Sequence, residues 1–401
     1  SPTTFAGYVA LSQLLFKRSR PEEGARVLAD AAGKVEDSAQ VRRMLGYSEL
    51  TRNHLPEAIH HFEAALRFDA KDAGALLGMT TTQRKSGNLA AAEKALSKLE
   101  QVDPDFAGVT LERGQLLESR GDYSGAASAY KKALETRPHD TDLKLRLGAA
   151  LVTAGRLDEA EAILPEVLKE RPTSAEAEHF VGRLLLAKNE TAQAVQHFER
   201  SIAFDALRGE YHLYLAWAYL DQGNLGAALT TIQKALDRDP NLGDARWILG
   251  RLQLRTGAVK DAVASFQQAL KLKPGRIEAL ASMGDAYDQL RDLPAAIRAY
   301  QDAVRHAPEH GDWWFRLGSL HLDRGSRDEA RVALAEAVLR GDRLIEKPTW
   351  LADAHRVYAE VLREGGRTNE AIENYKAFLE LAPASHPDRS DVERIVRSAQ
   401  R

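Results

Sequence analysis

Cysteine is absent from this chain of 401 residues, which excludes disulfides, thiol catalysis, thiolate metal sites and a lipid-modified cysteine within it. The formal net charge is only −3 at pH 7, so electrostatics give no reason to expect nucleic acid or an anionic membrane as a partner. No apolar run approaches the roughly 20 residues of a membrane span, so no direct membrane insertion is expected. The sequence begins with Ser1 and not with methionine, and no signal-like segment precedes Phe5. A piece of a longer protein or a processed product would begin in this way.

Motifs that carry chemistry are also missing. The sequence has no glycine-rich phosphate loop, no HExxH, no nucleophile elbow and no calcium-loop spacing. His60 and His61 are the nearest thing to a ligand pair, but adjacent residues of a helix do not face each other. The remaining possibility for a catalytic site is that two carboxylates distant in sequence converge across the folded repeats. We therefore expect no enzyme activity, no metal and no cofactor.

What the sequence does contain is a pattern that recurs at intervals of about 34 residues. The stretch Ala107–Asp140 shows it clearly, with small residues, an aromatic residue and a closing proline: Gly114, Gly121, Ala126, Tyr130, Ala133 and Pro138. Stepping along the chain from Ala107 places further units at Phe5, Ala39, Ala73, Thr141, Ala175, Gly209, Gly243, Ile277 and Gly311. Another unit begins at Ala352, after the additional residues Ile345–Leu351.

Each recurring position has a physical reason. Glycine inside a helix costs about 1 kcal/mol relative to alanine, so the recurrence of Gly114 and its equivalents predicts close approach of a paired helix. That helix carries alanine at the matching position, such as Ala126, and a small residue is expected to face a small one. Gly121 is expected to end the first helix in a left-handed conformation, and Pro138 to end the second.

This layout resembles the tetratricopeptide repeat (TPR), a helix–turn–helix unit of 34 residues. The resemblance implies an all-α fold, a right-handed α-solenoid superhelix of about eleven repeats in which neighbours complete each other's apolar faces. We expect ten contiguous repeats over residues 5–344, an insertion over 345–351, an eleventh repeat over 352–385 and a C-terminal capping helix over 386–401.

Two places break the pattern. Pro165 falls inside the second helix of its unit, where proline removes a hydrogen bond, so a bend or an early helix end is expected. The stretch Gly341–Leu351 replaces the usual closing proline and adds residues. Insertions in repeat arrays can mark binding faces, and extra helix length or a plain loop is the alternative.

By the same resemblance, the first helices line a concave groove. The residues that this places in the groove as partner-binding candidates are Arg183, Leu186, Leu213, Trp217, Leu220, Trp247, Arg251, Leu254, Arg255, Asp285, Asp288 and Phe315. Tryptophan and arginine often anchor interfaces, so the expected partner is a helix, an extended segment or a small folded protein with apolar and acidic groups. Packing of these residues against adjacent repeats is the alternative.

The sequence therefore favours a non-enzymatic scaffold or adaptor. Arginine is far more frequent than lysine, which suggests a GC-rich bacterial genome. Similar arrays serve in bacterial pilus assembly and polar motility, where some engage Ras-like GTPases. A periplasmic TPR arm of a polysaccharide or protein export system, and a regulatory arm of a larger enzyme, are the alternatives. The cytoplasm is the expected compartment, with the periplasm as the alternative.

Overall fold

The computed structural model describes residues 5–399, and every regular element within them is an α-helix. The first twelve helices are α1 (Phe5–Lys17), α2 (Pro21–Ala32), α3 (Ala39–Thr51), α4 (Leu55–Phe68), α5 (Ala73–Lys85), α6 (Leu89–Val102), α7 (Val109–Ser119), α8 (Tyr123–Thr136), α9 (Thr141–Thr153), α10 (Leu157–Glu170), α11 (Ala175–Ala187) and α12 (Thr191–Phe204). The remaining helices are α13 (Gly209–Asp221), α14 (Leu225–Arg238), α15 (Gly243–Arg255), α16 (Val259–Leu272), α17 (Glu278–Gln289), α18 (Leu293–His306), α19 (Gly311–Asp323), α20 (Arg327–Asp342), α21 (Trp350–Glu364), α22 (Thr368–Leu381) and α23 (Arg389–Ala399). The predicted all-α class is confirmed.

The chain divides into two compact units, Ser1–Phe204 and Asp205–Arg401. In each unit an odd-numbered helix packs on the helix that follows it, and the resulting hairpin packs on the next hairpin. The odd-numbered first helices of neighbouring hairpins also contact each other, as α5 does with α7 in one unit and α13 with α15 in the other. Each unit is thus a solenoid of stacked hairpins, and the predicted tandem architecture is confirmed.

In several hairpins the turn is set by two neighbouring residues. In the α7–α8 turn, Gly121 adopts the left-handed conformation with φ of 80°, as predicted. The next residue, Asp122, caps α8 because its carboxylate accepts a hydrogen bond of 2.8 Å from the backbone N–H of Gly125. Where glycine is missing, Asn53, Asn189 and Arg291 take the same left-handed conformation in equivalent turns.

Several glycines inside the first helices make room for a ring of the paired helix, while Gly148 and Gly318 make room for a leucine. A side chain at Gly182 would begin 2.6 Å from Cε1 of Phe198, and one at Gly46 would begin 2.7 Å from Cε1 of Phe62. The sequence pattern predicts that glycine faces alanine. The structure instead brings an aromatic ring onto the glycine backbone, while the alanine of the second helix, such as Ala194, is fully buried.

Pro165 does not end its helix. Helix α10 runs through it to Glu170 and has 14 residues, as α8 does. The expectation of an early end is therefore wrong. The reason is the position of the ring: Pro165 lies on the exposed face, where water can reach the carbonyl that proline leaves without a partner. The apolar face of the helix, with Leu164 and Val167, stays buried.

The stretch Gly341–Leu351, which breaks the repeat pattern, is helical at both of its ends. Helix α20 has 16 residues and ends at Asp342, and α21 begins at Trp350. Trp350 and Leu351, which the sequence places in the insertion, thus belong to α21. The connection between the helices exposes Ile345 completely.

The last helix, α23, packs Val392 and Val396 into a cluster with Phe378 of α22. Its first residue, Arg389, donates hydrogen bonds of 2.8 Å from Nη1 to the carbonyl oxygens of Leu379 and Ala382. The final two residues of the predicted capping helix, 400 and 401, lie outside the described residues. The division into ten repeats, insertion, eleventh repeat and cap stays a prediction. None of the helices within 5–399 is long and apolar enough to cross a membrane.

Candidate partner-binding site

The candidate residues lie on first helices in both units. Arg183 and Leu186 are on α11 of the unit Ser1–Phe204, where both are partly buried. The Arg183 guanidinium stands 5.1 Å from the ring centre of Phe180, and its Nη2 donates to Oγ1 of Thr153 over 3.2 Å. The other ten candidates lie on α13, α15, α17 and α19 of the unit Asp205–Arg401, which is described next.

Three of these ten are core residues. Leu220 is completely buried, Leu213 nearly so, and Trp247 is only 7% exposed. All three belong to one hydrophobic cluster with residues of α14 and α16. Their side chains hold neighbouring hairpins together, and they offer little surface to a partner.

An aromatic group surrounds Trp247. The edge of its ring meets Trp217 of α13, with the ring centres 5.6 Å apart and the planes at 82°. Tyr214, one turn earlier on α13, stacks on Trp217 at 5.8 Å. The indole N–H of Trp247 donates to Oγ of Ser282 over 3.1 Å. Trp217 is only partly buried, so it is the member of the Trp217–Trp247 pair that a partner could contact.

Two arginines lie over the ring of Trp247. The guanidinium carbon of Arg276 is 4.4 Å from the ring centre, and that of Arg251 is 4.9 Å from it. Arg276 forms ion pairs with Asp244 at 2.7 Å and with Glu278 at 3.2 Å. Arg276 was not among the candidates, because it lies in the connection before α17. The positions that the repeat resemblance assigns to the groove do not include this connection.

Arg251 is different, because it forms no ion pair and only the more distant Asp221 offsets its charge. Within residues 5–399 no carboxylate lies in ion-pair distance of Arg251, and the same holds for Arg255, one turn further along α15. Burial lowers the pKa of Arg251; Asp221 counteracts this, and the positive charges of Arg255 and Arg276 lower the pKa further. The arrangement is a partly buried cation that an anion would stabilise.

An open cavity of about 560 Å³ begins at this arginine. It is lined by residues from α15, α17, α19 and α21, with Tyr300 from α18. The candidates Trp247, Arg251, Asp285 and Phe315 line it, whereas Trp217, Leu254, Arg255 and Asp288 do not. Four successive first helices therefore form one surface of mixed aromatic and charged character.

The other charged side chains that line the cavity each lie close to a polar or charged neighbour. Asp285 accepts a hydrogen bond of 2.6 Å from the hydroxyl of Tyr300 and pairs with Arg316 at 3.3 Å. Burial, with the charge of Asp285, raises the pKa of Tyr300. Glu278 pairs with Arg276, and Asp312 lies 3.6 Å from Nδ1 of His310. Of the two arginines that line the cavity, Arg251 is thus the one without an ion pair within the described residues.

Trp350 closes the far end of the cavity. Its ring is stacked with that of Phe315 at 6.3 Å, and it covers Gly311, where a Cβ would lie 2.6 Å from Cη2. Sequence reasoning missed Trp350 because the residue precedes the eleventh unit, in the stretch assigned to the insertion. The available signal was an aromatic residue directly before a helical pattern.

One group of possible metal ligands is present in the part of the chain that the structure describes. Oxygen or nitrogen atoms of Asp353, His386 and Asp388 lie within 4.8 Å of one another. Arg356 already contacts both carboxylates, at 3.3 Å from Asp353 and 3.2 Å from Asp388. The guanidinium supplies the positive charge there, so this is an ion-pair network between α21 and the start of α23.

Comparison with known proteins agrees with this architecture. A family model described as tetratricopeptide repeat matches residues 9–73, 81–141, 181–243, 213–277 and 282–344, and a second model of the same description matches residues 117–184. No curated protein matches the chain.

Two solved structures illustrate the likeness. The crystal structure of the APC/C hetero-tetramer Cut9-Hcn1 is similar over 98% of this chain and 90% of that chain, with 15% identity and a TM-score of 0.56. The crystal structure of MamA is similar over 41% of this chain and 95% of that chain, with 23% identity and a TM-score of 0.37. The first similarity supports the fold, and neither identifies a partner for this chain.

Proposed function

The chain belongs to the tetratricopeptide repeat family, whose repeats serve protein interaction, and from this we propose a non-enzymatic scaffold or adaptor. The partner contributes a segment that lies against the first helices of the unit Asp205–Arg401. Arg251 in the aromatic cavity is the observation that carries the proposal. A partly buried guanidinium without an ion pair is unfavourable, and a carboxylate from the partner would relieve that cost.

The cavity also favours an apolar anchor beside that carboxylate. Phe315 and Trp350 present stacked rings in it, and outside the cavity the partly buried Trp217 meets the ring of Trp247. Aromatic residues and arginines are the types that most often dominate binding free energy at interfaces. The expected partner segment therefore places an acidic side chain next to an aromatic or aliphatic one, as a helix or an extended strand can do.

The experiment is affinity purification from the source cell with the full chain as bait, read by quantitative mass spectrometry. The variants Arg251→Glu and Arg255→Glu reverse the charge that the partner carboxylate needs. The control Arg238→Glu makes the same change at an exposed arginine at the end of α14. Circular dichroism and thermal unfolding establish that each variant is folded.

We expect a partner that is captured by the wild type and by Arg238→Glu and is lost from both site variants. Equal capture by all four proteins would contradict the site. A photo-crosslinking amino acid at position 315 gives the independent reading, because the crosslinked peptide must come from that partner. Its segment must carry an acidic residue.

A narrower form of the proposal is that the chain works in the bacterial cytoplasm, in pilus assembly or polar motility, with a Ras-like GTPase as its partner. It rests on the resemblance of the repeat array to proteins of such systems. Here capture must depend on the nucleotide, so a GTPase retained equally in its GDP-bound and GTP-bound forms would remove this version and leave the scaffold proposal standing.

A further inference from the structure

A second cavity lies in the unit Asp205–Arg401 and shares no residue with the first. It has a volume of about 690 Å³ and opens between the second helices α18 and α20, with α19 beneath them. Its apolar lining comes from Val304, Leu317, Val332 and Ala333, together with the ring of Trp314. Val332 stands at the surface and is 53% exposed, so the cavity can be entered from solvent.

One polar side chain interrupts this lining. His321 is only 6% exposed, and neither of its ring nitrogens has a hydrogen-bond partner within residues 5–399; Nδ1 is fully shielded from solvent. Burial lowers the pKa of His321, so the imidazole is neutral near pH 7 and offers one donor and one acceptor. A polar group this deeply buried without a protein partner is rare, and because Nδ1 is shielded, Nε2 is the ring nitrogen through which a ligand in the cavity can form a hydrogen bond.

Some of the other polar groups at the cavity are already engaged. The indole N–H of Trp314 donates to the carbonyl oxygen of Pro308 over 2.9 Å, and the guanidinium of Arg340 lies 5.3 Å from the centre of the Trp314 ring. At the rim, Arg305 pairs with Asp302 at 2.7 Å. Gln301 and Glu329 also line the cavity but are exposed to water. His321 is therefore the buried hydrogen-bonding group that the cavity offers to a ligand, and the apolar part of the lining selects for shape.

We propose that this cavity is a binding site for a planar aromatic group that carries one hydroxyl or ring N–H, as phenol and indole do. The aromatic plane packs against Trp314 and the aliphatic lining, and the single polar function exchanges a hydrogen bond with His321. Ligand sites commonly combine an apolar lining with a few placed polar groups in this way. The group can belong to a free small molecule or to a tyrosine or tryptophan side chain.

The test titrates the full chain with phenol and indole, and with toluene as the probe of similar size that lacks the polar function. Binding is followed by saturation-transfer NMR and by the shift in thermal unfolding. Phenol and indole are expected to bind in the millimolar range and about fivefold more tightly than toluene, which is the size of effect that one net hydrogen bond gives. Equal affinity for phenol and toluene overturns the role of His321.

Two variants locate the binding. His321→Phe keeps an aromatic ring but should abolish the preference for phenol over toluene. Val332→Trp changes an exposed residue at the mouth and should weaken binding of all three probes, which keeps the proposal testable even if His321→Phe does not fold. Unchanged phenol binding in Val332→Trp would place the probe elsewhere and overturn the site.

N-acetyltyrosinamide distinguishes the two sources of the aromatic group. It carries peptide bonds on both sides of the tyrosine, so binding comparable to that of phenol supports a side chain of a partner protein. Binding of phenol and indole without binding of this amide supports a free small molecule.

Discussion

At position 182 there is no room for a side chain beside the ring of Phe198. Glycine is therefore needed there for its small size and not for its conformational freedom. Since Phe198 is completely buried, the ring cannot move away at low cost. We expect Gly182→Ala to lower the free energy of unfolding by about 1–2 kcal/mol, because overpacking outweighs the better helix propensity of alanine. Urea denaturation followed by circular dichroism measures the change.

Gly226 is the matched control for that substitution. It lies in α14, and a Cβ there would meet nothing within 4 Å. Gly226→Ala should therefore be neutral or stabilising by up to about 1 kcal/mol. If both substitutions change stability in the same direction, the close approach of the ring is not the reason for glycine at position 182.

Buried histidines make the stability of the chain depend on pH. Burial lowers the pKa of His212 and of His321, so the unfolded chain binds more protons than the folded chain once the pH falls below the ordinary histidine value of about 6.5. The free energy of unfolding is therefore higher at pH 7.5, where both histidines are neutral, and falls on acidification, because protons bind more tightly to the unfolded chain. Urea midpoints at pH 7.5 and pH 5.5 should differ less in His212→Gln than in the wild type. The exposed His60→Gln is the control, and an equal change in both variants would contradict the argument.

At the scale of a single helix, Pro165 is tolerated but not favourable. Helix α10 lacks one internal hydrogen bond at this residue and is otherwise complete. An ideal helix interior loses about 3 kcal/mol to proline, and the unfolded chain gains freedom when proline is removed. We expect Pro165→Ala to stabilise the protein by about 1–2 kcal/mol in denaturant unfolding.

Pro56 supplies the comparison for Pro165. It occupies the first turn of α4, where the missing N–H would have no partner in the helix. Pro56→Ala should leave the stability nearly unchanged. A similar gain from both substitutions would mean that the unfolded chain, and not the interior of α10, accounts for the effect.

The elements also show where sequence reasoning succeeds. Glycine, alanine and proline at a fixed spacing predict the hairpins well, because each residue is required by a local constraint such as the left-handed turn at Gly121. The extent of α10 could not be predicted in this way. Whether proline ends a helix depends on which face it occupies, and the exposed position of Pro165 follows from packing with the neighbouring hairpins.

The candidate site was predictable only in outline. Repeat position places Trp217 and Trp247 on first helices, but it does not say which of them is covered by the next hairpin. The structure buries Trp247 and leaves Trp217 partly exposed. Arg276 and Trp350 stand outside the repeated helical positions, so a position-by-position transfer omits them. Residues in and beside the connections between repeats contribute to the site, and the 34-residue spacing of the repeats does not predict them.

At the scale of the whole molecule, the ends of a repeat array differ from its interior, because a terminal hairpin has a neighbour on one side only. Here α23 covers the hairpin α21–α22 and buries Val392 against the cluster around Phe378 and Tyr375. The stability of that hairpin should therefore depend on α23, whereas distant hairpins, which it does not contact, should be unaffected.

The substitution Val392→Asp tests this dependence, since it places a charge at a residue that is only 3% exposed. Undocking of α23 should cost the last hairpin at least about 2 kcal/mol, the order of the burial free energy of a valine plus the cost of a buried charge. Hydrogen exchange should then accelerate in α21 and α22 while α3 to α8 keep their protection. The control Arg394→Ala changes an exposed residue of the same helix. Uniform acceleration along the chain would show that the array unfolds as one cooperative body, and no acceleration would show that α23 does not stabilise its neighbour.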